Sequence, residues 1–202
     1  MVIDVSKADV VSVYQALVGV VSPRPIAWVT TVDSEGRVNL APFSFFNAFG
    51  ANPPVVVFSP TNRRDGSKKD TLLNLEAVPE FVLNAAVEDL AGPMNATSKE
   101  LPRGQSEAEY ASLTLEPATK VRPPRVAASP VHLECRVRQI VPVGEGAIAA
   151  NLVIGEVLLI HIDEAVLDPS GRVDPRKLRT IARMGGDDYC RTSDLFQMKR
   201  PS

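Results

Sequence analysis

The chain has 202 residues, of which 45% are hydrophobic and 23% charged, with a formal net charge of −2. That is enough apolar material for one sizeable core, so a single domain over 1–202 is expected. The charge balance excludes a general nucleic-acid binder, which needs a basic face to displace counterions, and no run reaches the roughly 18 apolar residues that cross a bilayer.

The N-terminal MVIDVSKADVV lacks the charged and small-residue pattern of a secretion leader, so a cytoplasmic protein is expected. Ser6 to Val18 reads as a first helix, with Ser6 as its cap and Asp9 in the first turn. Ser22-Pro23-Arg24-Pro25 ends it, because the residue before a proline is pushed to extended backbone. Ile26 to Val32 alternates as a strand with Ile26, Trp28, Thr30 and Val32 on one face. Asp33-Ser34-Glu35-Gly36 is a hairpin turn, with Gly36 available for positive φ, and Arg37 to Ala41 returns antiparallel.

Asn52-Pro53-Pro54 breaks the chain again. Val55 to Ser59 is expected as a strand buried on both faces. Thr61 to Lys69 is a polar, basic loop, after which Asp70 is the expected cap of a helix over Thr71 to Ala77. Glu80 to Asn84 is the next strand. Asp89 to Glu100 has helical character, and Ser106-Glu107-Ala108-Glu109 is a capping-box signal. Val121 to Pro130 is proline-rich and is expected as a surface excursion.

From Val131 to Ile140 the pattern alternates. Val131, Leu133, Cys135 and Val137 form an apolar face, and His132, Glu134, Arg136 and Arg138 a polar one. Cys135 is thereby a small buried residue; Cys190 has no ligand-spaced neighbour, and no disulfide framework is implied. Ala147 to Asp163 is a long strand with a bulge expected at Gly155. Asp174-Pro175 opens a last helix, expected to reach about Arg183, with Gly185 or Gly186 behind it. The sum is about six mostly antiparallel strands with short helices, a small barrel.

Several segments carry chemistry. Thr61 to Thr71 gathers cations and hydroxyls in front of a helix, which reads either as a phosphate cradle or as a solvated charged turn. Thr30 and Thr31 suit a strand for their own sake. Phe43, Phe45 and Phe46 suit a core, but Ser44 and Asn47 between them need partners if buried. A planar ring with polar edges, such as a flavin, supplies an apolar face and edge acceptors together. Gly144 to Ala149 matches GxGxxA, yet strand rather than helix follows, so it reads as a hairpin and not a dinucleotide fingerprint. His132 and His161 lie in separate strands, too far from other ligands for a metal site. Arg183 and Tyr189 read equally as ligand contacts or as anchors of the C-terminal segment.

The segments SPRPIAWVTT, NLAPFSFFNAFGANPP, KKDTLLNL, EFVLN, SPVHLEC, IGEVLLIHID and ARMGGDDY, in that order, resemble the flavin reductase-like family, the FMN-binding split barrels, and its flavoredoxin-type branch. The resemblance implies a mainly β fold, a six-stranded antiparallel split β-barrel with short helices, usually a homodimer. It implies FMN (or FAD) as cofactor and NAD(P)H as electron donor. It assigns Thr30 and Thr31 to flavin contacts, and Ala41, Pro42, Phe43, Ser44 and Asn47 to the ring. Ser59, Lys69, Asp70 and Thr71 fall to the ribityl phosphate, with His161, Arg183 and Tyr189 as candidates near the open ring face. Hydride transfer from NAD(P)H to flavin and onward to an acceptor follows. The alternatives are an FMN electron carrier reduced by a protein partner, or a barrel holding a non-flavin ligand such as haem.

Overall fold

The computed structural model describes residues 1–201. Helix α1 (Val10–Val20) is capped by Asp9, whose carboxylate accepts from the Val11 and Ser12 N–H groups, both at 3.0 Å. The expected cap, Ser6, instead bonds to Asp4 in the preceding turn. Asp9 prevails because only it stands at the right distance from the first free N–H groups.

Strands β1 (Arg24–Pro25), β2 (Ala27–Val32), β3 (Val38–Phe43), β4 (Phe46–Ala51) and β5 (Pro54–Phe58) follow. The β2–β3 hairpin closes as expected, with Gly36 at φ 83° and the Asp33 carboxylate accepting from the Glu35 and Arg37 N–H groups. After α2 (Asp70–Ala77) come β6 (Glu80–Ala85), a short 3-10 turn and α3 (Ala91–Ala96). Then come α4 (Glu107–Tyr110), capped by Ser106, and the small β7–β8 pair (Leu115–Glu116 and Arg125–Val126). The long hairpin β9–β10 (Val131–Val143 and Ala150–Ile162), α5 (Pro175–Leu178), β11 (Ile181–Arg183) and β12 (Tyr189–Arg191) complete the chain.

The main sheet has seven antiparallel strands in the order β3-β2-β6-β9-β10-β5-β4. It curls without closing, as a split barrel. The strand beyond the expected six is β4, whose Phe46–Ala51 sequence mixes aromatics with Gly50 and carries no clean alternation; its pairing with β5 slips between Ala48 and Gly50. A separate sheet, β1-β11-β12, lies beside it.

Two apolar clusters clamp β2. Inside the barrel, Ala27 and Val29 meet Phe43, Phe58, Phe81, Cys135 and Val153; on the other side Ile26 and Trp28 meet Leu40, Met94, Ala108, Val126 and Ile181. Every residue of β2 is therefore buried, rather than one alternating face. β5 differs the other way: Val56 and Phe58 are buried while Val55 and Val57 are only half-buried. Gly155 sits at a bulge, and a Cβ there would come within 2.3 Å of the Phe81 ring, so only glycine leaves room for that core aromatic.

Other expectations change. The N-cap of α2 is Lys69, and Asp70 is the first helical residue. The last helix stops at Leu178, because Arg179 turns left-handed at φ 50°; Ile181–Arg183 is a strand, and Gly185–Gly186 belongs to the β11–β12 turn. The 121–130 stretch is no free excursion. Val126 is wholly buried, its N–H donating to Asn84 Oδ1 at 2.8 Å and its carbonyl bonded to His132 Nε2 at 2.9 Å. Together with Thr119 and Lys120 it covers the face of β9 that reads as polar, with His132 and Glu134 buried there, and Val131 and Leu133 are left half exposed.

Candidate functional site

Two adjoining hollows of about 200 and 160 Å³ lie at the end of β3, sharing Pro42, Phe43, Lys69 and Ser98 in their walls. The first is floored by Pro42, Phe43, Ser44 and Phe45 where β3 leaves the sheet. α1 adds Tyr14, the residue after β5 adds Ser59, α3 adds Met94 and Asn95, and the facing ends of β11 and β12 add Arg183 and Tyr189. A larger hollow of about 820 Å³ lies beside Arg37 and Tyr110, but its lining brings together no comparable set of cations and free hydroxyls.

The floor is rigid because its neighbours are core. Phe43 packs on Phe58 with ring centroids 5.5 Å apart, and Tyr14 meets Phe45 edge-on at 6.1 Å. α3 is held over the hollow from below: Trp28 Nε1 donates to Thr97 Oγ1 at 2.9 Å, and that hydroxyl donates to the Met94 carbonyl at 2.7 Å, all of it buried. Ser44 accepts from Arg24 Nε at 3.3 Å, and Ser59 accepts from the Asn151 N–H at 3.1 Å. Each serine keeps its own O–H without an acceptor among the described residues, a spare donor at the wall.

The second hollow brings Arg63, Lys69 and Lys99 together with the carboxyl groups of Asp70, Glu100 and Glu107. Lys69 stands at the N-terminus of α2, where its side chain does not cap the free N–H groups. Neither Lys69 nor Arg24 has a carboxylate within ion-pair distance among the described residues. Burial pushes the Lys69 pKa down, Glu100 pulls it back, and Arg63 adds repulsion. Asp70 is occupied, clamped by Arg63 at 2.9 Å and Arg103 at 2.8 Å. Thr71, 1% exposed, accepts from Asn39 Nδ2 at 2.9 Å. Glu107 also lines this hollow; burial raises its pKa while the Leu40 N–H, donated at 3.0 Å, opposes the rise. A helix N-terminus with an unpaired cation beside it is a phosphate-binding arrangement.

The residues singled out from the sequence separate into two groups. Ala41, Pro42, Phe43, Ser44, Ser59, Lys69, Asp70, Thr71, Arg183 and Tyr189 meet at the hollows. Thr30 and Thr31 do not: both are fully buried, their hydroxyls accepting from Asn84 Nδ2 at 2.8 Å and Asn74 Nδ2 at 3.2 Å. Asn47 is exposed on β4 and bonds the Ala48 N–H. His161 lies on β10, its Nε2 2.6 Å from Glu134 Oε1, and lines neither hollow. At the rim, the Arg183 guanidinium stacks 4.6 Å from the Tyr189 ring, and Tyr189 donates to Asn95 Oδ1 at 3.0 Å.

The sequence reading missed Tyr14, Asn39, Asn95 and Ser98 in the walls, whereas Thr61 and Arg63 belong to the loop it read as a possible phosphate cradle. The run Asn95-Ala96-Thr97-Ser98-Lys99, small and polar at a helix end, was a usable signal. Tyr14 gave none, because its place depends on how α1 docks.

An open antiparallel barrel with an aromatic-floored hollow beside a helix N-terminus is the architecture of the split-barrel flavoproteins. The flavin reductase like domain matches residues 21–181, and the chain belongs to that family. It is similar to the nitrilotriacetate monooxygenase component B from Bacillus cereus, with a TM-score of 0.92, 33% identity and 98% of each chain covered. It is also similar to the 2-nitrobenzoate 2-nitroreductase NbaA of Pseudomonas fluorescens, with a TM-score of 0.89, 32% identity, and 100% of this chain and 97% of that one covered. The flavoredoxin of Desulfovibrio vulgaris shares the fold at a TM-score of 0.75 and 17% identity, covering 87% of this chain and 90% of its own.

Proposed function

We propose that the chain binds FMN across the two hollows and reduces it with NADH or NADPH, passing the electrons to an acceptor. The observation that carries this is Lys69, a half-buried ammonium at a helix N-terminus without a carboxylate at ion-pair distance among the described residues, shared by a hollow with an aromatic floor and a hollow that also holds Arg63, Thr71 and Ser98. The residues fit the cofactor. Lys69, Arg63 and the α2 N–H groups hold its phosphate. Phe43 and Phe45 support the ring, and the Ser44 and Ser59 hydroxyls meet its polar edge.

Bound flavin supplies the capacity to accept a hydride and release electrons. The protein contributes orientation and field. Pro42 to Phe45 fix the ring plane against the core, and α3 closes one side of the hollow. In this reading Arg183, stacked on Tyr189 at the rim, meets a phosphate of the dinucleotide, and no separate nucleotide domain is needed. The name of the Bacillus cereus relative supports an oxygenase as the acceptor; that of NbaA supports a nitroaromatic.

A second copy of the chain belongs to the same reading. An apolar hollow of about 360 Å³, lined by Pro25, Phe46, Leu83, Leu133 and Ile181 among others, opens on the barrel face that β9 leaves half exposed. Ile160 is 53% exposed. Apolar surface of this extent favours a partner.

The test is the visible spectrum of the purified protein with added FMN, followed by anaerobic NADH or NADPH. Flavin bands that bleach support the reductase. Bands that persist under both donors leave an electron carrier reduced by another protein. A protein that binds no flavin refutes the reading.

A further inference from the structure

Arg24 is a buried cation that the flavin contacts alone do not explain. It is 5% exposed and pairs with no carboxylate among the described residues. Its Nη1 donates to the carbonyls of Val18 and Val21, the second at 2.8 Å, and its Nε donates to Ser44 Oγ. The two carbonyls end α1, so the negative end of the helix offsets part of the charge. Burial still holds its pKa down; Tyr14 offsets part of that and the like charge of Arg183 adds to it. A desolvated cation without a full counter-charge is unfavourable, as is a buried ion pair that has lost one partner. Such a charge is retained most readily where negative charge arrives during function.

Ser44 is the link. Its oxygen already accepts from the guanidinium, and its O–H has no acceptor among the described residues, so that proton is free to be donated to a ligand. A hydroxyl that accepts from a cation is polarised into a stronger donor. Ser44 lines the hollow; Arg24 stands one hydrogen bond behind it.

We propose that Arg24 is a positioning residue for the redox reaction: through Ser44 it presents a polarised donor and an unpaired positive charge to the flavin, so that the site prefers the reduced, negatively charged form. This rests on the flavin reading. A hydride brings two electrons and one proton to the neutral oxidised ring, which leaves one net negative charge on it. Arg24 and Ser44 act on that charge and take up no proton themselves.

The experiment is the midpoint potential of bound FMN in the wild type, Arg24→Gln and Ser44→Ala, by anaerobic equilibration with a reference dye, with melting temperature recorded alongside. In Arg24→Gln the affinity ratio of reduced over oxidised flavin is expected to fall about tenfold, a drop of about 30 mV for a two-electron couple. Ser44→Ala shifts the potential in the same direction by less, and it leaves the bonds from Arg24 to α1 in place. Where Arg24→Gln does not fold, Ser44→Ala decides. A potential equal to wild type in Ser44→Ala, or in a folded Arg24→Gln, overturns the proposal while leaving flavin binding intact. A wild type that binds no flavin overturns the function itself and this inference with it.

Discussion

At the residue scale, the site works by leaving certain groups unspent. Most polar side chains near it are occupied: Asp70 by two arginines, Thr97 by Trp28, Glu107 by the Leu40 N–H. Lys69 is left without a carboxylate, so its charge is available to a ligand. Lys69→Ala should weaken FMN binding about 10- to 100-fold, the worth of a charge-assisted hydrogen bond of about 1.5–3 kcal/mol. Riboflavin, which lacks the phosphate, should bind the variant and the wild type alike. Fluorescence titration with both ligands checks it; an equal loss for riboflavin would mean that Lys69 supports the ring pocket and not the phosphate. Cys135 shows the opposite economy. Burial pushes its thiol pKa far up, and it behaves as the small core residue its alternation implies.

At the scale of elements, one carboxylate joins three pieces of chain. Glu134 on β9 is wholly buried, accepting from the Thr119 N–H at 2.8 Å, the Lys120 N–H at 2.5 Å and His161 of β10. Burial raises its pKa, but the bonds from the Thr119 N–H, His161 and the Lys120 N–H outweigh that and hold it below its ordinary 4.5. A carboxylate whose folded pKa is depressed stabilises fully above its unfolded value, and the contribution is lost as pH falls through the folded value. Glu134→Gln should therefore lower stability at neutral pH by about 1.5–3 kcal/mol, the worth of hydrogen bonds to a charged group. The gap from wild type should narrow below pH 4.5. Urea unfolding at neutral and acid pH measures this; a constant gap would show that ionisation of Glu134 contributes nothing.

At the scale of the molecule, the barrel places two surfaces side by side, and Ile26 and β11 contribute to both. The two hollows proposed for flavin gather at the end of β3, between α1, α2, α3 and the facing ends of β11 and β12, while the half-exposed apolar face lies over β6, β9 and β11. Covering that face with a second copy would remove it from water. Light scattering on the wild type should show a dimer. Replacing Leu133 by Lys should yield monomer, because a buried lysine without a partner costs several kcal/mol at the interface. A wild type that is monomeric at high concentration would sink this assignment.

The hairpin at Asp33 to Gly36, the bulge at Gly155, the buried Cys135 and the cation-rich approach to α2 were all legible in the sequence, as was the family order of motifs. Each rests on local chemistry: a turn that needs positive φ, an alternation of apolar side chains, charges gathered before a helix. What the sequence did not decide was which faces would be covered. Thr30 and Thr31 sit inside two layers of core, so their hydroxyls serve asparagines of neighbouring elements instead of opening onto the hollow. His161 follows Glu134 to the far side of β9, and the polar face of that strand is buried because the 117–126 segment supplies it with N–H groups and carbonyls. Arg24 reads in the sequence as one residue of a proline-rich stop and becomes a buried charge behind Ser44 only when α1 docks. Periodicity states which residues share a face; what lies on that face is set by contacts between residues far apart in the chain, and only the folded molecule brings those together.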